Sequence, residues 1–343
     1  MKVGIVGMGK MGLLHAGILS VLDDVKLAAI AEKEDMINKY VQRALPAVNV
    51  YSDYQEMLSR EDLDLVYITT PVLLHVPIAN MCIKNNVNFF VEKPLAGNLE
   101  ECKQLCSNLK GTDLVHAVGY SKRFLDTFVK GKELLDSNML GELVYVKSSM
   151  YVSQLFSSGK GWRYKKTESN GGVLLEFASH LVDLLLWYFG SIKYVATMVK
   201  SYYSKEVEDF AHSAIEFETG LKGYLDTSWS IRNHRLPEIM IEIHGTNGMM
   251  ILNDDFVRVK LDETDGNFPA GDTTIYKQAL SSGTLIDIAG PEYTKEDIHV
   301  VDCARTKKQT MINSFDASRA QSVIDSMYSS STAYAFRKVD YVI

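Results

Sequence analysis

The 343-residue chain has no basic tract, no internal repeat and no low-complexity segment, and its net charge is −7. A nucleic-acid partner needs a cationic face, so that class is set aside. No apolar run reaches membrane-spanning length. The nearest, 173–189, is interrupted by Glu176, His180 and Asp183. The chain opens on a short apolar strand rather than a charged-then-apolar leader, so no signal peptide is expected. Cysteine is scarce. Cys82, Cys102, Cys106 and Cys303 lack the paired spacing of a metal site. Cys102 and Cys106 sit four apart on a predicted helix and read as buried thiols, which fits a reducing cytoplasm. What remains is the composition of a water-soluble globular protein, long enough for two domains.

The most informative segment is Gly7-Met8-Gly9-Lys10-Met11-Gly12. An apolar strand over 2–6 runs into it and a helix over 10–21 follows. In that setting Gly7 makes the tight turn and Gly9 leaves the backbone bare for a pyrophosphate. Gly12 lets helix and strand pack, and the helix N-terminus offers free N–H groups to the phosphates. A second strand over 25–31 ends in Glu32, twenty residues after Gly12. A carboxylate there accepts hydrogen bonds from a ribose diol, which favours NAD because a 2′-phosphate would be repelled. Lys33 beside it leaves NADP tolerated.

Strand and helix alternate over residues 1–120. Strands are expected at 2–6, 25–31, 64–69, 87–91 and 114–119, with helices near 10–21, 35–44, 53–59, 75–85 and 98–109. This rhythm specifies a doubly wound parallel sheet, an α/β fold whose ligands sit beyond the carboxyl ends of the strands. Those ends carry Gly7, Glu32, Thr69-Thr70-Pro71 and Glu92-Lys93-Pro94. Past residue 120 the rhythm changes. Helices near 125–137 and 171–189 are accompanied by strands at 143–151, 193–203, 210–218, 222–230, 238–244 and 248–252, which implies an antiparallel sheet in an α+β domain over 121–343. A hairpin turn is expected at 245–248, a long polar loop at 262–291, and closing helices near 294–305 and 316–336.

The helix expected at 171–189 is apolar nearly all round and therefore buried. Its polar members Glu176, Ser179, His180 and Asp183 fall at i, i+3, i+4 and i+7, one narrow stripe. Burying a carboxylate and an imidazole costs several kcal/mol, as an order of magnitude, unless partners or a wet cleft offset it. The stripe thus reads as a cavity lining; a satisfied polar network between domains is the competing reading. Lys93 at a strand end is placed to stabilise a developing alkoxide, although a lysine there is ordinarily just solvated. His75 opens a helix and either contacts cofactor or packs. His15 reads as structural. Trp162-Arg163 lead into the stripe, where Arg163 would reach a cofactor amide or a substrate oxygen. Arg123, His234 and Tyr276 are weaker candidates.

Together these motifs resemble the glucose–fructose oxidoreductase / inositol dehydrogenase (Gfo/Idh/MocA) family along essentially the whole chain. The residues that carry the likeness are Gly7 to Gly12, Thr70 to His75, Glu92-Lys93-Pro94, Arg123-Phe124 and Gly171 to His180. The resemblance implies a nicotinamide-dependent oxidoreductase acting on a sugar, sugar derivative or cyclitol. It implies a Rossmann domain followed by an open sheet used for homodimer or homotetramer contacts. It makes Lys93 and His180 the catalytic pair, with Glu176 orienting substrate. Cofactor contacts are expected from Gly7, Gly9, Lys10, Met11, Gly12, Glu32, Thr69, Thr70, Pro71, His75, Glu92, Lys93, Trp162 and Arg163. Substrate contacts are expected from Lys93, Arg123, Arg163, Glu176, Ser179, His180 and Tyr276. The chain departs from the pattern at Glu176, where Asp is usual, at Ala178 in place of Gly, and at Val72 in place of Asn. Alternatives within the same likeness are an NAD-retaining glycosidase that works by transient oxidation and elimination, and a non-catalytic dinucleotide sensor.

Overall fold

A computed structural model describes residues 1–281 and 283–342. It divides into two compact units. One comprises residues 1–121 and 283–319, the other residues 122–281 and 320–341. Residues 283–319 thus join the first unit, whereas the sequence assigned them to the second.

The first unit alternates β1 (Lys2–Val6), α1 (Lys10–Leu19), β2 (Lys26–Ala31), α2 (Asp35–Ala44), β3 (Asn49–Tyr51), α3 (Tyr54–Arg60), β4 (Leu65–Ile68), α4 (His75–Lys84), β5 (Asn88–Val91), α5 (Leu99–Leu109) and β6 (His116–Val118). All six strands are parallel, in the order β3-β2-β1-β4-β5-β6. β4 is buried at every position, as strands covered on both faces must be. β3 was not expected from the sequence. It is three residues long and lies at the edge, too short to show a period. The core joins Val3, Ile5, Ile30, Leu65, Tyr67 and Phe90 to Val300, Val301, Cys303 and Ala304. Those last four belong to the late helix α11 (Pro291–Thr306), so the returning segment is part of this core rather than an appendage.

The second unit contains α6 (Asp126–Asp136), β7 (Leu143–Tyr151), α7 (Lys166–Ser169), α8 (Val173–Glu176), α9 (Ser179–Phe189), β8 (Ile192–Lys200), β9 (Phe210–Phe217), β10 (Lys222–Ser228), β11 (Glu238–Gly245), β12 (Gly248–Asn253), β13 (Phe256–Leu261), β14 (Gly271–Tyr276) and the one-turn α10 (Lys277–Leu280). Two long helices follow, α11 (Pro291–Thr306) and α12 (Ser314–Ala333), then the short β15 (Arg337–Lys338). The nine strands run β14-β13-β12-β11-β7-β10-β9-β8-β15. All neighbours are antiparallel except β7 and β10. Alternation is strict: Ala211, Ser213, Ile215 and Phe217 face the core, and their neighbours are half-exposed. On the other face Lys147 pairs with Glu242 at 3.0 Å and His212 with Asp226 at 2.6 Å.

Two expectations fail in this unit. The loop expected at 262–291 contains β14, a polar edge strand without apolar alternation. The helix expected over 171–189 is broken. α8 ends at Glu176 and α9 begins at Ser179. At the break the Ala178 N–H reaches back five residues to the Val173 carbonyl, at 2.8 Å. The stretch 166–189 passes a hydropathy test for a membrane span, but it is mostly buried inside the protein and split into α7, α8 and α9.

Candidate functional site

In the first unit the glycine turn is built for a ligand at one position and for packing at the others. Gly7 holds φ +94°, in the left-handed region that suits glycine. Its carbonyl accepts the Thr69 hydroxyl at 2.6 Å. A Cβ at Gly12 would stand 2.0 Å from the Gly7 carbonyl oxygen, so that site is closed to any side chain. A Cβ at Gly9 would meet nothing within 4 Å. This open space lies at the start of α1, whose first N–H groups, including those of Lys10 and Met11, have no intrahelical acceptor and no side-chain cap. At the end of β2 the Glu32 carboxylate accepts the Met8 N–H at 2.6 Å and the Glu34 N–H at 3.0 Å. It is thereby fixed beside the turn with lone pairs to spare. These residues fit a dinucleotide: bare backbone for the phosphates and a carboxylate for the ribose.

Thr69, Thr70 and Pro71 follow β4, and Glu92, Lys93 and Pro94 follow β5, with a cis bond between Lys93 and Pro94. His75 ties the two turns together. Its Nδ1 lies 2.8 Å from the Pro94 carbonyl and its Nε2 lies 2.9 Å from the Thr70 carbonyl. Burial lowers its pKa against those contacts, so the neutral ring donates to one of the two carbonyls and packs against the other. Both ring nitrogens face carbonyls of the protein, which favours the packing reading of His75 over the cofactor contact. Lys93 itself is half-buried.

Behind Lys93 lies a buried polar cluster. His15 of α1 is fully buried among Tyr67 and Phe90, with ring centroids 5.2 and 4.9 Å away. Its Nδ1 contacts the Asp297 carboxylate at 2.9 Å and its Nε2 contacts Glu92 at 3.1 Å. Burial opposes a charge on the ring, but the two carboxylates outweigh it and push the pKa up to about 10. Burial alone would likewise raise Glu92. The His15 hydrogen bond and the His15 and Lys93 charges outweigh that too, and hold its carboxyl below the usual range. Glu296, one residue from Asp297, is buried with neither oxygen hydrogen-bonded among the described residues. Burial and the nearby Glu92 push it well above the ordinary carboxylate range.

In the second unit Gly171 and Gly172 seat α8 against Glu208 and Tyr328. The Glu208 carboxylate accepts the N–H groups of Gly172 and Leu174 at 3.1 and 3.0 Å and the Tyr328 hydroxyl at 2.7 Å. A Cβ at Gly172 would come within 2.1 Å of the Glu208 carbonyl oxygen. Glu208 was not singled out in the sequence; a lone acid before a strand carries no motif. Glu176 is buried at the end of α8, with an oxygen 3.7 Å from Nε of the exposed Arg163, whose guanidinium lies over the Trp162 ring. His180 stands in the first turn of α9, half-buried.

The break between α8 and α9 corrects the single stripe: Glu176 and His180 belong to different helices. Of the expected substrate contacts, two are buried in the second unit. Arg123 is buried and held bidentately by Asp183, at 2.8 and 2.6 Å, with Trp187 against its guanidinium. Ser179 is fully buried and its hydroxyl has no hydrogen bond among the described residues. Tyr276 ends the edge strand β14 and is exposed. His234 pairs with Glu238 at 3.0 Å. A separate cavity of about 440 Å³ is lined by Tyr202, Tyr203, Phe210, Ser228, Ser230 and Ile231, without a carboxylate or imidazole.

Residues 1–120 match a family described as an oxidoreductase family with an NAD-binding Rossmann fold. Residues 128–251 match the Gfo/Idh/MocA C-terminal domain. The chain is 24% identical to scyllo-inositol 2-dehydrogenase (NAD(+)) of Bacillus subtilis, over 92% of this chain and 90% of that one. It is 28% identical to 1-carboxy-3-chloro-3,4-dihydroxycyclohexa-1,5-diene dehydrogenase of Comamonas testosteroni, over 64% of this chain but only 56% of that protein's length. A solved levoglucosan dehydrogenase in complex with NADH superposes with a TM-score of 0.89 at 21% identity, covering 99% of both chains. At that identity the likeness speaks for the fold.

Proposed function

The chain belongs to the Gfo/Idh/MocA oxidoreductase family, and we propose that it interconverts a secondary alcohol and a ketone on a sugar, sugar derivative or cyclitol. The observation that carries this reading is the Lys93 turn. It is braced by His75 and Glu92 in the same unit as a glycine cradle left open only at Gly9. When bound, NAD supplies the hydride acceptor. Gly9 and the α1 N-terminus bind its phosphates, and Glu32 binds the adenosine ribose.

Lys93 donates a charge-assisted hydrogen bond to the carbinol oxygen and lowers the cost of the developing alkoxide. His180 takes the hydroxyl proton as general base. Glu176 holds Arg163 at the rim, where the guanidinium meets a substrate or cofactor oxygen. Arg123, held by Asp183, and the buried Ser179 serve the packing of the second unit instead. The inositol and levoglucosan dehydrogenases to which the chain is similar act on hydroxyl-rich rings, which supports that substrate class.

The test is a panel of cyclitols, sugars and anhydrosugars with NAD, read at the nicotinamide absorbance band. Lys93→Met and His180→Ala should each lower kcat by a factor of about 10² or more and leave NADH affinity within about threefold. Wild-type turnover in both variants would sink the assignment. Product formed with no net NADH would replace it with the elimination reaction.

A further inference from the structure

His15 was read from the sequence as structural, and the structure gives it more to do. It is the one imidazole in a cluster that otherwise holds Glu92, Glu296 and Asp297, with Tyr67 packed on its ring. It comes from α1, the helix that opens on the dinucleotide cradle. Through Nε2 it grips one oxygen of Glu92, at 3.1 Å. The other oxygen of Glu92 accepts the backbone N–H of Lys93, also at 3.1 Å. The third wall around that carboxylate is Gly119, where a Cβ would stand 3.1 Å from the same oxygen and 2.9 Å from the Phe90 ring. The Glu92 carboxylate is thus closed in by His15, Gly119 and the Lys93 peptide.

We propose that His15 is a positioning residue for Lys93: clamped by Asp297 on one ring nitrogen, it fixes Glu92 with the other, and Glu92 fixes the turn that aims the ammonium. A carboxylate held by one donor can swing, and one held by two on opposite oxygens cannot. A 1 Å error in a group that stabilises a developing charge costs far more in turnover than in binding. The chain of contacts runs Asp297 to His15 to Glu92 to Lys93, so residues 282 apart in sequence act on one turn. The inference deepens the reading of Lys93 as the alkoxide-stabilising group and rests on it for its kinetic arm only.

Two substitutions separate positioning from bulk stability. The amide of Gln reaches the place of the imidazole Nε2, so His15→Gln keeps the bond to Glu92. The amide of Asn reaches only the place of Nδ1, so His15→Asn keeps the bond to Asp297 and drops Glu92. Both remove the ring and the charge. The first readout needs no substrate: amide hydrogen exchange of the 92–96 segment, with β1 and β4 as references. In His15→Asn, exchange at 92–96 should rise at least about tenfold with the reference strands unchanged, and in His15→Gln it should stay within about threefold of wild type. The second readout is kinetic. His15→Asn should lower kcat about tenfold with KM and NADH affinity within about threefold, and His15→Gln should restore most of it.

Equal behaviour of the two variants, or exchange that rises equally everywhere, would overturn the proposal. If neither variant folds, Glu92→Gln decides it. That variant keeps the shape of the side chain and weakens its grip on both sides, so unchanged exchange at 92–96 overturns the inference. Should Lys93→Met keep full activity, the reading of Lys93 falls while the exchange measurement still judges His15.

Discussion

The two units each bury charge, and they do so on opposite terms. The second holds Arg123 against Asp183, one cation and one anion joined by two hydrogen bonds. The first holds a single imidazole among three acids, two of which grip it while Glu296 has no hydrogen-bond partner among the described residues. A guanidinium does not titrate in any accessible range, so the first kind of pair is permanent. An imidazole does, so the second kind is conditional. The unit with the permanent pair supplies the proposed base. The unit with the conditional one supplies the proposed alkoxide stabiliser.

The largest expected effect comes from breaking the permanent pair. Arg123→Met leaves Asp183 buried and should destabilise the protein by about 3–5 kcal/mol, measured by denaturant unfolding, with nearly the same loss at pH 6 and pH 9. A loss under 1 kcal/mol would mean that Asp183 finds other compensation. The conditional cluster predicts the opposite pH behaviour. His15 has a folded-state pKa of about 10 against an ordinary value of 6.5. Its contribution is therefore complete below about pH 6.5 and is lost as pH rises toward 10. Over that window the folded state keeps a proton that the unfolded state has released. Unfolding free energy should then fall by up to about 1.4 kcal/mol per pH unit more steeply in wild type than in His15→Gln. Parallel pH curves would show that the ring is not charged. The smallest effect on stability should come from Gly9→Ala, whose methyl enters open space. Its melting temperature should stay within about 2 °C, while NADH affinity, followed by fluorescence, drops about tenfold or more. Loss of stability without loss of affinity would make the open space at Gly9 incidental.

The first unit was legible because its signals are local. A parallel strand covered on both faces is an unbroken apolar run, and the cradle, the acid after β2 and the Glu92-Lys93-Pro94 turn each fall within a few residues. The alternating strands of the second unit were legible for the same reason as far as β12. β13 carries the same alternation, with Val257, Val259 and Leu261 buried at every second position. β14 gave no such signal, being polar and at the edge. The α8–α9 break was not legible at all. No glycine or proline marks residues 177–178, and what seats α8 is Glu208, thirty-odd residues downstream. The same holds for His15, whose partner Asp297 comes 282 residues later. Distances of that kind carry no periodicity, so only coordinates bring the two ends together.

The return of α11 to the first unit has a consequence for biosynthesis. When residues 1–121 have left the ribosome, the sheet they form still lacks Val300, Val301, Cys303 and Ala304 from its core and Asp297 from the side of His15. The whole of residues 122–282 must be translated before that gap is filled. Until then the nascent N-terminal portion carries the apolar flank that α11 later covers.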